Sequence, residues 1–595
     1  MMENLLNYPF DAHLILRKKR AIKRSLLQNS DFTEKKIAIL GGSTTAEIKE
    51  IFELFLLNEN IKPIFYESSY NRYYEDIVFD NPQLRDFAPD IIYIHTTSVN
   101  ITSFPRVQDT SAEIDRLFQE ELDRFRQLWQ QIEKMYQSVV IQNNFELPYA
   151  RTLGNLDVTD LHGSTNFIQR LNQAFADHAR QSTNFHLHDI NYLSSWFGLE
   201  KWYDKSLWYT SKYALNYQAI PLLAYSLTSI VKSIHGKSKK CLVLDLDNTL
   251  WGGVIGDDGL DGIQLGKETP SAEAFSDFQQ YIKKLKDRGI ILAVCSKNDP
   301  QTARRGFEHP DSILSLDDFS AFQANWESKD QNILSIAQSL NIGLDSLVFL
   351  DDNPAERNIV SSQIPGIAVP DITEDVSRYI AVLDKGNYFN TTSLSQDDLQ
   401  RHRYYAENVR RFETQARFRN YDDYLRSLEM EIEIKPFASL YLERITQLTN
   451  KTNQFNLTTR RYTLAEIEAI ARDPYYITLY ARLRDKFGDN GVISVLIAAV
   501  KGRELHIDLW LMSCRVLKRN VELALMDSLL QYAQDKGIDS IFGYYYPTPK
   551  NDMVRSLYGE MGFKQISSNE KGAAVWACVI SQNYQKKNQL IKVLA

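Results

Sequence analysis

Cysteine is scarce in this chain. The 595 residues hold four, Cys241, Cys295, Cys514 and Cys578, with no Cys-x-x-Cys spacing. That excludes a disulfide framework and a cysteine-built zinc site, and it fits a reducing compartment. Long apolar runs are also missing. None approaches the roughly 18 residues that span a bilayer, and the N-terminus has no signal-peptide pattern. The expectation is a cytoplasmic protein without a membrane span. A basic excess is absent too: 68 Lys and Arg against 76 Asp and Glu give a net charge of −8, which argues against a nucleic-acid binder. The cluster Arg17-Lys-Lys-Arg20 with Lys23 and Arg24 falls in a helical pattern with Leu14, Leu16 and Leu26. It reads as a solvated helix face. Repeats and low-complexity segments are lacking. What is present is 44% hydrophobic and 24% charged residues, enough chain for three or four domains with cores of their own.

Three regions can be read along the chain. Lys36–Leu40 reads as a buried strand, followed by the tight loop Gly41-Gly-Ser-Thr-Thr45 and a helix from about Ala46. Pro89–His95 and Ser138–Gln142 are further strands, with long amphipathic helices between them, as over 110–137. This alternation implies a parallel sheet covered by helices. A helical stretch, 217–234, leads into the polar linker Gly236–Lys240. A second β/α series has strands over 241–246, 290–295 and 346–351 and helices around 271–288 and 328–341. Residues 395–428 are polar and helix-compatible. Beyond 431 strands dominate (Glu431–Pro436, Tyr476–Asp485, Gly491–Val500, Glu504–Leu511), with a helix over 519–536 and a strand over 540–545. The expected domains are 1–236 (α/β), 237–385 (a parallel-sheet α/β domain without a large cap), 386–430 (a helical connector) and 431–595 (α+β).

The chemistry concentrates in the second series. Cys241-Leu-Val-Leu-Asp-Leu-Asp247 delivers Asp245 and Asp247 at the carboxyl end of an apolar strand, where ligands bind in open α/β sheets. Carboxylates this close repel unless a cation neutralises them, and Mg²⁺ suits such oxygen donors. Ser296 follows the second strand and, with helix N-terminal amides, suits a phosphate oxygen. Lys329 opens a helix and is placed to offset charge on a transferring group. Asp351 and Asp352 end the third strand and complete a metal site with Asp245. Thr249, Trp251, Gly252, Gly253 and Asn298 adjoin these stations and are the candidate substrate contacts. A strand-end Asp alone is commonly a cap or turn former; four stations in order point to phosphoryl transfer.

These residues closely resemble the haloacid dehalogenase (HAD) superfamily signature: Asp-x-Asp-x-Thr at Asp245–Thr249, the Ser motif at Ser296, the Lys motif at Lys329 and the acidic motif at Asp351-Asp352. The resemblance implies that Asp245 is the nucleophile forming an aspartyl-phosphate. Asp247 then protonates the leaving oxygen and activates water. Mg²⁺ would be held by Asp245, the Asp247 carbonyl and Asp352, or with Asp351 as the acidic-motif ligand. Trp251–Gly259 continuing to Ile263–Gly266, Asn453–Thr458, Arg484–Gly488, Met512–Val516 and Tyr546–Asn551 narrow the likeness to the FkbH-like branch, over almost the whole chain. That family implies an SGNH-hydrolase-type N-terminal domain and a GNAT-type C-terminal domain. It also implies either glyceryl transfer from 1,3-bisphosphoglycerate to an acyl carrier protein, or a plain phosphatase for a sugar or glycerate phosphate in surface-polysaccharide synthesis.

The flanking parts depart from their families. Gly42-Ser43-Thr44 has Gly where an SGNH hydrolase has Asp, and Trp202–Lys212 has no His, so the N-terminal domain is expected to be noncatalytic. Arg515-Val-Leu-Lys-Arg-Asn520 lacks the glycines of an acetyl-CoA loop, so Arg515, Lys518 and Arg519 are read as holding another phosphate, such as a carrier's phosphopantetheine. Cys514 beside them is the candidate for a glyceryl thioester, with Cys295 as the competing thiol. Asp345-Ser-Leu and Asp527-Ser-Leu mimic a carrier's attachment site but fall at a strand entry and inside a helix, so a carrier would be a separate chain. His95 and His506 read as strand histidines. The segment 252–266 is expected to form a flap.

Overall fold

A computed structural model describes residues 3–29, 32–136, 138–548, 550–581 and 584–594. Pro549 of the Tyr546–Asn551 motif lies outside them. The chain forms two compact units, up to Lys232 and from Ser233 onward.

The first unit is built on a parallel sheet in the order β2-β1-β3-β4-β5, from β1 (Thr33–Gly41), β2 (Ile61–Glu67), β3 (Ile91–His95), β4 (Val139–Asn143) and β5 (Phe185–His188). Helices such as Ala46–Asn58 and Ser111–Met135 cover it, the latter opened by a Thr110/Glu113 capping box. Neither β2 nor β5 has an apolar run longer than three residues to announce it. β2 carries Pro63, tolerated because β2 is an edge strand.

The second unit contains a four-stranded parallel sheet in the order β8-β7-β6-β9, with β6 (Cys241–Leu244), β7 (Ile291–Ser296), β8 (Ala321–Ala324) and β9 (Leu347–Leu350). The 241–246 strand stops at Leu244, so both aspartates lie beyond it. Side chains alternate as a pleat requires. Leu242 and Leu244 join one core with Val348 and Leu350. Cys241 and Val243 join the opposite core with Phe349. The chain runs from β6 out through β7 to β8, then returns to β9 on the other flank of β6. The gap between β6 and β9 is therefore a topological switch point, where an open α/β sheet offers its crevice.

The same unit holds a second, mixed sheet in the order β16-β17-β15-β14-β13-β12-β10-β18, with β11 paired to β14. Its strands are β10 (Glu431–Lys435), β11 (Phe455–Asn456), β12 (Tyr476–Asp485), β13 (Gly488–Lys501), β14 (Glu504–Met512), β15 (Ser540–Tyr545), β16 (Lys564–Ser568), β17 (Ala574–Val579) and β18 (Lys592–Leu594). The helices Leu442–Lys451, Leu464–Arg472 and Val521–Asp535 complete the α+β arrangement.

Three of the C-terminal motifs have structural work here. β14 pairs β15 only over Glu504–Ile507, and the gap that opens beyond is filled by Asn453–Thr458. Within it, Leu457 N donates to Trp510 O (3.1 Å) and Tyr546 N to Leu457 O (2.9 Å). Asn551 Nδ2 locks the fit by donating to Asn456 O (2.8 Å) and Tyr546 O (2.9 Å). In Arg484–Gly488, buried Asp485 receives Arg411 (2.9 and 2.8 Å) and Arg519 (3.1 Å). Among the described residues, no helix is long and apolar enough to cross a membrane.

Candidate phosphoryl-transfer site

The register of the four-stranded sheet sets three stations level. Leu244 pairs with both Val294 and Leu350. Asp245, Cys295 and Asp351 follow at one edge, and Asp245 N donates to Leu350 O (3.0 Å), extending the ladder by one residue. Carboxylate oxygens of Asp245, Asp351 and Asp352 all lie within 4.8 Å of one another. Lys329, from the first turn of the helix Lys329–Leu340, reaches between them. Its Nζ is 2.9 Å from Asp245 Oδ2 and pairs closely with Asp351 Oδ2.

Most of this is buried: Lys329 is 3% exposed, Asp245 7% and Asp351 0%, with Asp352 half-buried at the rim. Three acids against one base leave a negative excess in a poorly solvated place. Burial and the neighbouring Asp245 push the Asp351 carboxyl up to about 6, against the pull of Lys329. The same two causes raise Asp352. Burial works against the Lys329 ammonium, but Asp245 and Asp351 more than offset it and hold its pKa above the usual lysine value. Asp245 Oδ1 is buried without a hydrogen-bond partner among the described residues. An orphaned carboxylate oxygen facing two further acids fits a hard divalent cation.

Asp247 stands apart from the metal-type cluster, and three donors fix it. Its Oδ1 accepts from Trp251 Nε1 (2.9 Å) and Ile255 N (3.1 Å), and its Oδ2 from Asn298 Nδ2 (2.9 Å). Burial raises its pKa, with Asp245 adding and the donors from Ile255 and Trp251 opposing. A carboxyl that holds its proton more readily than usual is suited to act as an acid.

The other candidates take defined places. Thr249 Oγ1 joins Asp352 through its carboxylate (3.4 Å) and its amide (3.2 Å). Ser296 ends β7 and is buried. Trp251 is fully buried edge-on against Phe307 and over Gly306, so it is a wall that aims Asp247. Gly252 exchanges hydrogen bonds with Gln264 (3.2 and 2.8 Å), which closes the 252–266 loop. Gly253 has φ 89°, and a Cβ there would meet Asp258 Oδ2 at 2.6 Å, so only glycine suits the turn.

Two contributors have no sequence signal of their own. Arg357 donates to the carbonyls of Asp351 (2.8 Å) and Asp352 (2.7 Å), pinning the acidic turn. Tyr379 OH donates to Asn248 O (3.3 Å). The helix that presents Arg357 is announced by Asn353-Pro354, its N-cap and first residue.

The thiols are not brought to this cluster. Cys295 is buried behind it, its Sγ facing Lys329 O at 3.7 Å, and burial pushes its pKa up. Cys514 is at the other edge of the sheet: its carbonyl accepts from Asn341 Nδ2 (2.5 Å), in the turn that enters β9, whereas Asp351 leaves β9. The length of β9, roughly 13 Å, separates the two edges. Arg515, Lys518 and Arg519 do not act together either. Arg519 is buried on Asp485, while Arg515 stacks on Tyr404 at 4.3 Å.

The FkbH N-terminal domain model matches residues 36–232. Among solved structures, the N-terminal part of the protein BF1531 from Bacteroides fragilis, which contains a phosphatase domain and was crystallised with Mg, is 34% identical, with a TM-score of 0.59, 64% of this chain covered and 99% of that one. The ribosomal-protein-S18-alanine N-acetyltransferase from Escherichia coli is 13% identical, with a TM-score of 0.21, 26% of this chain covered and 99% of that one. A search of curated proteins found no match. With 34% identity to BF1531 over an alignment that spans nearly all of that structure, and the FkbH N-terminal domain model matched over 36–232, this chain belongs to the FkbH-like family of HAD proteins.

Proposed function

We propose that this chain is a Mg²⁺-dependent HAD-type phosphatase that acts on a phosphorylated small molecule through an aspartyl-phosphate on Asp245. The observation that carries the reading is the buried Asp245–Lys329–Asp351 cluster with Asp352 at its rim, one free Asp245 oxygen and an acid held beside it. A carboxylate oxygen of Asp245 attacks phosphorus as the bond to the substrate oxygen breaks, and Asp247 delivers its proton to that leaving oxygen. Water then attacks the phosphoryl group, Asp247 takes its proton, and the bond to Asp245 breaks to release phosphate. Lys329 and Ser296 hold the phosphoryl oxygens, and Thr249 and Arg357 keep the acidic turn in place. Asp245, the Asp247 carbonyl and Asp352, with Asp351 alongside, would hold Mg²⁺, which supplies neutralising charge when bound.

The domains we assign are 237–385 for this chemistry, 386–430 as connector, 431–595 as the α+β domain and 1–236 as a recognition domain, in a cytoplasmic protein. A second reading adds glyceryl transfer from 1,3-bisphosphoglycerate to a separate acyl carrier protein. It is favoured by the position of Cys514 on a cation-lined cavity. With that thiol at the far edge of the sheet, Asp245 would act on the free or carrier-borne ligand and not on a thioester at Cys514. Without transfer, the enzyme is a stand-alone sugar- or glycerate-phosphate phosphatase.

A screen of phosphorylated glycerates and sugar phosphates tests the main reading. Mg²⁺-dependent phosphate release that Asp245→Asn abolishes supports it; release that Asp245→Asn leaves unchanged overturns it.

A further inference from the structure

The amino edge of the β6–β9 sheet holds a feature that phosphatase chemistry does not use. Lys240 directly precedes β6 and Asp245 directly follows it, which places them roughly 16 Å apart along the strand. Around Lys240 lies a cavity of about 130 Å³. Its walls come from the Gly236–Lys240 linker, the turn before β9, the connector, the helix Leu442–Lys451 and the Ser513–Arg515 turn.

Its charge is unbalanced. Seven basic side chains line it against three carboxylates, Asp345, Asp397 and Asp398. Those three acids are already committed. Asp397 is shared by Arg444 (2.9 Å) and Arg515 (3.5 Å), Asp398 by Lys451 (3.3 Å) and Arg401, and Asp345 pairs with Lys550. Arg444 Nε faces Asp397 without hydrogen-bond geometry and has no other partner among the described residues. The strain shows in the cations. Burial, then the like charge of Arg515, lowers Arg444 to about 10. Burial, with Arg401 nearby, lowers Lys451 to about 8 although Asp398 opposes it. Positive charge that is partly buried and only partly paired is relieved by an anion.

We propose that this cavity binds the phosphate of an extended organic phosphoester, at a site separate from Asp245. The volume admits roughly ten waters, or a phosphate group with several bridging waters. A second cavity, of about 70 Å³, shares Lys240, Asp398, Arg401 and Lys451 as walls and continues past Phe389 and Leu394. The cations around Lys240 and Lys451 take the phosphate; the continuation, whose own Lys239 and Arg288 donate to backbone carbonyls, takes the rest of the ester, so bare orthophosphate underfills the site. Cys514 also lines the larger cavity, its Sγ 3.7 Å from Tyr405 OH. A bound phosphoester therefore lies over that thiol. The same chemistry has two sources: a free metabolite, or the phosphopantetheine arm of a carrier protein.

The test uses the full chain carrying Asp245→Asn, so that no probe is hydrolysed, with 4′-phosphopantetheine, unphosphorylated pantetheine and inorganic phosphate in calorimetric titrations. Phosphopantetheine binding is expected to weaken at least tenfold in Lys451→Gln and in Lys240→Gln, to recover in Lys451→Arg, and to exceed that of pantetheine or phosphate. Binding that ignores both lysine substitutions, or does not need the phosphate, overturns the proposal. The unaltered chain gives an independent readout: a bound phosphoester, free or carrier-borne, should slow alkylation of Cys514 by iodoacetamide at least several-fold. Repeating the protection with phosphopantetheinylated and unmodified carrier protein separates the sources. Protection by the free ester assigns a metabolite, and protection only by the modified carrier assigns the arm. Protection by neither overturns the site.

Discussion

Each unit of this chain brings polar side chains to the buried carboxyl ends of parallel strands, and the two sets resolve the cost of burial in opposite ways. In the first unit Tyr93, His95, Asn143 and His188 bond to one another. Tyr93 OH meets His95 Nδ1 (2.9 Å) and Asn143 Oδ1 (3.1 Å), and His188 Nδ1 meets Asn143 Oδ1 (3.0 Å). Burial lowers His95 to about 4 and His188 to about 3, so both rings are neutral near pH 7. In the second unit Asp245, Asp351 and Lys329 meet as a charged cluster, and an Asp245 oxygen is left over. A cluster that sheds its charge offers a ligand no ionic partner, although His95 Nε2 and His188 Nε2 are also left without a hydrogen bond among the described residues. One that keeps its charge by pairing is poised for an electrophile and a cation. The same sheet architecture thus yields a neutral plug in one unit and a reactive site in the other.

The comparison can be broken most sharply at Asp245. Asp245→Asn should lower turnover by at least about 10³-fold, because the covalent route is removed, while the melting of the first unit stays unchanged; steady-state kinetics and calorimetry read both. Lys329→Met strands two buried acids. Denaturant unfolding should show a loss of about 3–5 kcal/mol, confined to the second unit.

The histidines make the opposite prediction. Their folded pKa values are depressed, so the unfolded chain binds protons more readily below about 6.5. Stability of the first unit is then full above pH 6.5 and falls as pH drops toward 4, by on the order of 3 kcal/mol for each histidine. Unfolding followed across that range should show a shallower fall in His95→Gln, with the share of His188 remaining. The smallest effect is expected at Trp251. Trp251→Phe removes a donor that favours the charged form of Asp247, so turnover should fall about tenfold. The basic limb of the pH–rate profile should move up, since losing that donor raises Asp247 further.

Much of the reactive site was readable from the residues because each station follows an apolar strand, and parallel strands align their carboxyl ends. β8 escaped because Ala321–Ala324 is short and half-buried. β5 escaped for a similar reason, with two histidines in four residues. Trp251 read as a substrate contact because its spacing from Asp247 does not reveal that the indole turns back onto it. Arg357 and Tyr379 act over distances no local pattern encodes. Cys514 and Asp245 both neighbour β/α elements in the sequence, yet only the strand direction tells that they face opposite edges.

The most direct measurement is to trap the intermediate. Asp247→Asn slows loss of the phosphoryl group, so acid-quenching that variant with Mg²⁺ and a phosphorylated substrate, followed by peptide mass analysis, should find one phosphoryl group on Asp245. The account predicts that adduct, and its absence when Asp245→Asn is added. Turnover by the unaltered chain with no adduct on Asp245 in either protein would contradict it.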